Sequence, residues 1–152
     1  MEPLPKRKNS LRRPGYDYSA EGAYFVTICT HKRLHYFGEI VEEVMHLSVL
    51  GGMAETYWLA IPSHNPGVET DAFVIMPNHM HGILVLDDGN KGASVSQIVG
   101  RYKAAVTRLA RRSDIGIDLD YPVWQRNFHD RVIRNEQEYE AFRIYIDFTI
   151  NV

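Results

Sequence analysis

The sequence predicts an α+β fold built on one antiparallel sheet. Three features predict it: runs of β-branched and aromatic residues, segments with apolar residues at helical spacing, and a tight Pro77-Asn78 corner between two apolar runs. Hydrophobic residues make up 45% of the 152 residues and charged residues 24%, as is typical of a globular protein with a genuine core. We therefore expect a single domain over residues 23–152, preceded by a basic N-terminal arm over residues 1–22.

The first half of the chain is expected to supply one strand and one long helix. Residues 23–30 (AYFVTICT) are β-branched and aromatic, which predicts a strand. Residues 39 to about 60 are predicted to be helical, because Ile40, Val44 and Leu47 recur at helical spacing. The Gly51-Gly52 pair is expected to weaken or kink the middle of this helix.

The second half predicts a hairpin, a helix, a strand and a final helix. Residues 70–76 and 80–86 are expected to pair through the Pro77-Asn78 corner. Ser94 or Ser96 would cap a helix over residues 95–112, a less regular strand follows around 128–133, and Asn135 would cap the last helix.

The order of these elements is β-α-β-β-α-β-α. Its first six members form the ferredoxin-like βαββαβ pattern, an antiparallel sheet with two helices on one face. The last helix is additional, and the open face of the sheet is the obvious place for it to pack.

The most informative local feature is the triplet His79-Met80-His81 at the start of the second hairpin strand. Side chains alternate along a strand, so both imidazoles would project from the same face of the sheet. Two neighbouring imidazoles suit one divalent metal ion, and such a triplet after a buried strand is typical of nucleases that cut single-stranded DNA with a tyrosine. A bare His-x-His pair also arises by chance in a chain with 7 histidines.

Charge is segregated although the net charge is only −2. Basic residues concentrate in the N-terminal arm and in helix 95–112, where a positive face would attract phosphate backbones; the alternative is a solvated helix surface. The residues expected to bind DNA are Arg7, Arg12, Arg13, Arg101, Lys103 and Arg108.

No apolar run is long enough to cross a bilayer, and the single cysteine, Cys29, excludes an internal disulfide. We therefore expect a cytoplasmic protein without a membrane partner.

Four segments, which together span nearly the whole chain, carry a resemblance to a known family. They are Pro14–Tyr18 with Gly22–Thr30, the Met-Pro-Asn-His-Met-His-Gly core at 76–82, Ile98–Lys103, and Trp124–Arg134 leading into Tyr145-Ile146. With these segments the chain resembles the REP-associated tyrosine transposases, a branch of the single-tyrosine HUH transposases.

The resemblance implies a metal-dependent endonuclease and strand transferase acting on single-stranded or hairpin DNA in the nucleoid. His79 and His81 would bind Mg²⁺ or Mn²⁺, and Tyr145 would be the nucleophile that forms a 5′-phosphotyrosine. Tyr139, on the same helix, is expected to belong to the core. The resemblance leaves the choice between monomer and homodimer open.

One departure from the family concerns the third metal ligand. In the family an amide side chain one turn after the tyrosine commonly completes the metal shell, within a Tyr-Ile-x-x-Asn-Pro segment. Here position 149 is Thr, Asn comes at position 151, and the next residue is Val152 instead of Pro. Thr149 is a poorer ligand than Asn, so the alternative is a hairpin-binding protein of the same fold with weak or lost cleavage. A second alternative, a metal-dependent barrel of the cupin kind, would require a mostly β structure.

Overall fold

The computed structural model describes residues 21–113, 115 and 122–149. The elements follow one another as β1 (Gly22–Cys29), a 3₁₀ turn (His31–Arg33), β2 (Gly38–Val41), β3 (Val44–Leu47), α1 (Val49–Leu59), α2 (Ile61–His64), β4 (Val68–Met76), β5 (His79–Leu86), α3 (Val95–Arg112), β6 (His129–Ile133) and α4 (Glu136–Asp147). The described residues contain no helix of the length and apolar character that spanning a membrane requires.

Four strands form the main sheet in the order β4-β5-β1-β6, and every neighbouring pair is antiparallel. The four strands of the βαββαβ pattern correspond to β1, β4, β5 and β6. In that pattern the first strand lies between the third and the fourth, and here β1 lies between β5 and β6. The predicted ferredoxin-like fold is therefore confirmed. The helices of the described residues are incompatible with the cupin-like barrel.

The prediction of a helix over residues 39–60 is wrong for residues 39–47. That part of the chain forms the β2–β3 hairpin, whose two-residue turn places Glu42 and Glu43 at φ 51° and 67°. Two positive φ angles are the geometry that matches the twist of a tight hairpin. The helix begins only after Ser48, whose side-chain oxygen accepts a hydrogen bond from the backbone N–H of Gly51 at 3.0 Å.

The expectation that the Gly51-Gly52 pair would weaken the middle of a helix is also wrong, because the pair lies in the first turn of α1. A Cβ on Gly51 would lie 2.2 Å from the carbonyl oxygen of Phe37. This glycine therefore permits a close approach between the helix and the segment that enters the hairpin.

The predicted N-caps of the two later helices, Ser94 and Asn135, are confirmed. Ser94 and Gln97 form a reciprocal capping box at the start of α3, and the Asn135 side chain accepts a hydrogen bond from the backbone of Glu138 at the start of α4. A cap depends on side chains within four residues of one another, which is why sequence alone locates it.

The sheet separates two apolar clusters. Alternate residues of β1 face α1 and α3, among them Tyr24, Val26 and Ile28, all fully buried. The other face carries Phe25 and Ile83 and is covered by α4. The additional helix thus packs on the face of the sheet that the βαββαβ pattern leaves open.

Gly82, directly after the histidine triplet, controls the packing of the sheet against α1. A Cβ at this position would lie 2.3 Å from Cζ2 of Trp58, whose side chain is fully buried. We expect Gly82→Ala to lower the free energy of unfolding by about 1–3 kcal/mol, because the indole ring must move within a filled core. Urea denaturation measures this change.

Gly100→Ala in α3 is the matched control, since a Cβ there meets nothing within 4 Å. It should leave stability unchanged or raise it by up to about 1 kcal/mol, as alanine favours helix. Equal effects of the two substitutions would contradict the assignment of a steric role to Gly82.

Candidate active site

The imidazole pair, His79 and His81, lies at the beginning of β5. The two ring centroids are 4.9 Å apart with an interplanar angle of 70°, so both rings project from one face of the sheet. They stand opposite Cys29 and Thr27 of β1, respectively. This is the face that α4 covers.

Hydrogen bonds orient both rings through the same type of nitrogen. Nδ1 of His79 lies 2.7 Å from Oδ1 of Asn78, and Nδ1 of His81 lies 2.8 Å from the hydroxyl oxygen of Thr27. An amide oxygen only accepts, so Nδ1 of His79 carries the proton and its Nε2 keeps a lone pair. With the same tautomer in His81, each Nε2 atom keeps a lone pair that can bind a metal, and the hydrogen bonds at Nδ1 fix the rings as outer-shell partners do in metal sites.

Burial keeps the imidazole pair uncharged at neutral pH. Burial and then the neighbouring His79 lower the pKa of His81 to about 4. Burial and then the positive charge of Arg33 lower the pKa of His79. Because neutral imidazole is the metal-binding form, this environment favours a ligand role over a charged one.

These lowered pKa values predict a pH-dependent stability. Between about pH 6.5 and the folded-state pKa of about 4, the unfolded chain binds the His81 proton more readily than the folded one. The free energy of unfolding, measured in urea with a chelator present, should therefore fall as the pH falls through this window. Carboxylates titrate in the same pH range, so the wild type is compared with His81→Asn. The free energy of unfolding of His81→Asn should fall less steeply with falling pH. Identical pH dependence in the two proteins would contradict the prediction.

Tyr145 lies on α4 and points toward the imidazole pair. Its hydroxyl oxygen is 3.5 Å from Nε2 of His81, and the two ring centroids are 5.3 Å apart. The residue as a whole is 52% exposed. The helix is seated by Phe142, whose ring stacks on Phe25 at 4.4 Å, and by the buried Ile146.

Tyr139 has a different environment on the same helix. Its ring is buried, and its hydroxyl donates a hydrogen bond to the carboxylate of Asp71 on β4. Burial and this carboxylate raise its pKa. Tyr139 thus anchors α4 to the edge of the sheet, and the expectation that it belongs to the core is confirmed.

Thr149 forms no hydrogen bond with the imidazole pair. Its hydroxyl donates to the backbone carbonyl of Tyr145 at 2.5 Å, one turn earlier on the helix. The described residues contain no cluster of three or more His, Cys, Asp or Glu side chains that could hold a metal ion. The donor set that fits a divalent ion is therefore the two Nε2 atoms, with the remaining positions open for phosphate or water.

Arg33 was not among the predicted site residues, but the 3₁₀ turn places it beside the imidazole pair. Its Nη1 lies 3.7 Å from the sulfur of Cys29, the residue paired with His79 in the sheet. Lys32 and Arg33 both have positive φ, 51° and 55°, a conformation that L residues rarely adopt. The only sign of this cation in the sequence is the Lys32-Arg33 pair after the first strand. The backbone conformation that places the Arg33 side chain near the imidazole pair cannot be predicted from the sequence.

The basic residues of α3 lie on the other side of the sheet from Tyr145. Arg101 donates a hydrogen bond to Oδ1 of Asn65 at 3.0 Å. The Lys103 ammonium donates to the backbone carbonyls of Gln125 at 2.8 Å and Arg126 at 3.3 Å, so it ties α3 to the segment before β6. Arg108 is exposed. Arg7, Arg12, Arg13 and Asn151, together with most of the predicted N-terminal arm, lie outside the described residues.

Comparisons with known proteins agree with the fold. No family model matches the sequence. An uncharacterized protein of Haemophilus influenzae (strain Rd) is 36% identical in an alignment 158 positions long, which covers 91% of this chain and 86% of that protein. The structure of a REP-associated tyrosine transposase bound to a REP hairpin superimposes on this chain with a TM-score of 0.63 at 21% identity. The superposition covers 93% of this chain and 72% of the transposase chain.

A second solved structure, a proposed transposase from Deinococcus radiodurans R1, superimposes with a TM-score of 0.55 at 20% identity. This superposition covers 90% of this chain and 96% of the Deinococcus chain. The chain therefore belongs to the same family as the Haemophilus influenzae protein, and its fold is that of the REP-associated tyrosine transposases.

Proposed function

We propose that this protein is a metal-dependent nuclease and strand transferase that cuts single-stranded DNA at or near REP-type hairpins through a 5′-phosphotyrosine intermediate. The observation that carries the proposal is the approach of the Tyr145 hydroxyl to within 3.5 Å of Nε2 of His81, beside His79. On this face of the sheet, Tyr145 supplies a nucleophilic hydroxyl and the imidazole pair supplies two nitrogens that can bind a metal.

In this mechanism the Tyr145 oxygen attacks the scissile phosphorus and loses its proton. The new bond joins phosphorus to the tyrosine oxygen, the bond from phosphorus to the 3′-oxygen breaks, and the departing strand leaves with a 3′-hydroxyl. The number of phosphodiester-type bonds is unchanged, so the same step in reverse rejoins a strand. A Mg²⁺ or Mn²⁺ ion on the imidazole pair would supply Lewis-acid polarisation of the phosphate.

Protein groups around the phosphate position would assist this step. A phenol is mostly protonated at neutral pH, and positive charge nearby favours the phenolate. Arg33, beside His79, is suited to hold a nonbridging phosphate oxygen and to stabilise charge that develops there. Thr27 and Asn78 would keep the two imidazoles in the metal-binding tautomer.

The structural neighbour that is bound to a REP hairpin supports hairpin DNA as the substrate class. Arg7, Arg12, Arg13, Arg101 and Arg108 are the residues proposed to bind its backbone. Lys103 is a weaker candidate, since its ammonium already donates to two backbone carbonyls.

The proposal is tested with a hairpin oligonucleotide that carries single-stranded flanks, incubated with the protein and Mn²⁺ or Mg²⁺. A 3′ label should migrate with the protein on a denaturing gel, because the phosphotyrosine holds the 5′ end of the downstream fragment. A 5′ label should appear in a shorter free fragment, and a chelator should abolish both products. Label transfer with the opposite polarity would contradict the mechanism.

A second candidate is a hairpin-binding protein that has lost cleavage. It is favoured by the Thr149 hydroxyl, which donates a hydrogen bond to the backbone carbonyl of Tyr145 on α4 and forms none with the imidazole pair. Hairpin binding without any adduct under either metal would support this candidate.

Thr149→Asn separates the two candidates. An amide at this position offers an oxygen one helical turn after Tyr145, so we expect it to increase the rate of adduct formation in a protein that cleaves. The rate is measured in single-turnover gels. Thr149→Val, which has the shape of threonine without the hydroxyl, is the control and should not accelerate the reaction; a slower Thr149→Asn protein would contradict a ligand position at residue 149.

A further inference from the structure

A basic cavity of about 410 Å³ lies between α1–α2 and α3, on the side of the sheet opposite Tyr145. Arg101, Ala105, Arg108 and Arg112 line it from α3. These positions are spaced by three or four residues, so they share one face of the helix. Ala105, between the arginines, leaves the space that a longer side chain would fill.

The charge of this cavity is positive. Three guanidinium groups and His64 line it, and its lining includes no carboxylate. Arg134 and Arg143, by contrast, form ion pairs with Glu138 and Glu140. Guanidinium groups that converge on a concave surface without an acidic partner are suited to an anion, above all to phosphate.

One of the guanidinium groups is held in place by a buried amide. Asn65 is only 4% exposed; its Nδ2 donates to the carbonyl of Ile61 at 2.9 Å, and its Oδ1 accepts from Arg101 at 3.0 Å. This chain of hydrogen bonds fixes Arg101 at the wall of the cavity. A second cavity shares Asn65 and Arg101 with the first and continues toward Lys91, so the basic surface extends along the N-terminal half of α3.

Tyr57 supplies an aromatic wall. It is partly buried against the core and lines the cavity. The other aromatic residue of the lining, Tyr102, is almost fully buried and donates its hydroxyl to the carbonyl of Ala54 at 2.8 Å, which leaves Tyr57 as the accessible ring. Nucleobases stack on such rings without regard to sequence.

We propose that this cavity binds one nucleotide, with the phosphate on Arg101 and Arg108 and the base against Tyr57. Its volume lies within the range of small-molecule sites. The sheet separates it from Tyr145, so the nucleotide bound here is not the one at the cleavage site. It is either a nucleotide of a DNA strand that passes on to this face or a free nucleotide, and the chemistry of recognition is the same for both.

The test is equilibrium binding of dAMP and of inorganic phosphate to the full chain by calorimetry. Arg108→Gln should weaken dAMP binding about tenfold or more, since it removes a bidentate phosphate contact. Arg111→Gln is the matched control: it removes the same charge from the same helix at an exposed position that does not line the cavity, and it should change affinity less than about twofold. Circular dichroism verifies that both variants are folded.

Substitutions of Tyr57 test the base. Tyr57→Phe should keep dAMP affinity, whereas Tyr57→Leu should weaken dAMP binding about fivefold or more and leave phosphate binding unchanged, because only the base contact is lost. Equal losses in Arg108→Gln and Arg111→Gln, or no saturable binding of dAMP to the wild-type protein, would overturn the proposal.

The source of the nucleotide is identified by competition with an unstructured single-stranded oligonucleotide. Displacement of dAMP, with an affinity that Arg108→Gln reduces, assigns the cavity to a DNA strand; dAMP binding without displacement assigns it to a free nucleotide. Both outcomes are independent of adduct formation, so a protein that never cleaves DNA could still bind the nucleotide.

Discussion

Tyr145→Phe should abolish the covalent protein–DNA adduct while leaving fold and hairpin binding intact. The substitution removes one oxygen from a side chain that is 52% exposed, so little packing is lost. The edge-on contact between the Tyr145 ring and Phe25, at a centroid separation of 6.1 Å, remains possible for phenylalanine. Loss of the nucleophile removes the covalent route completely, so we expect no adduct above background on a denaturing gel.

Tyr139→Phe is the control on the same helix. It removes the hydroxyl that bonds to Asp71, so it should lower the free energy of unfolding by about 1–3 kcal/mol. It should still form the adduct, because the Tyr145 hydroxyl is unchanged. An adduct that persists in Tyr145→Phe and disappears in Tyr139→Phe would move the nucleophile from one residue to the other.

His81→Ala is the second substitution with a large expected effect. It removes the imidazole that lies nearest to the Tyr145 hydroxyl and one of the two proposed metal-binding nitrogens. We expect metal-dependent cleavage to fall by about 100-fold or more and Mn²⁺ affinity, measured by calorimetry, to fall in parallel, since a single remaining imidazole is a weak site. Stability should change less than activity.

The hydrogen bond between Thr27 and His81 provides a graded comparison. Thr27→Val keeps the metal-binding imidazole but removes the hydroxyl that orients it. Partners of this kind typically contribute about 10–100-fold to metal affinity or activity. The Mn²⁺ affinity and the cleavage rate of Thr27→Val should therefore lie between those of the wild type and those of His81→Ala. Unchanged Mn²⁺ affinity in both variants would show that the imidazole pair does not bind the metal.

Local patterns in the sequence were sufficient for much of the fold. The alternation of side chains along β5 predicted that His79 and His81 share a face, and the two ring centroids do lie 4.9 Å apart. The helix caps at Ser94 and Asn135 were equally local. In each case the interacting groups are at most four residues apart, so the sequence itself contains both partners.

The segment from Gly38 to Leu47 forms a hairpin and not the predicted helix. Apolar residues that recur every three or four positions also fit a short hairpin with a tight turn, and sequence spacing alone does not separate the two. The hairpin was decided by the turn geometry at Glu42-Glu43 and by the contact of Gly51 with Phe37.

By itself, then, the sequence determined the ferredoxin-like order of elements, the shared face of the imidazole pair and the core role of Tyr139. Tertiary structure alone decided that Arg33 lies beside His79, that Lys103 is engaged by carbonyls before β6, and that arginines of α3 form a cavity with Tyr57. Each of these arrangements depends on the angle at which separate elements pack or on an unusual backbone conformation. Such angles and conformations are set by the whole core at once, and no short stretch of sequence specifies them.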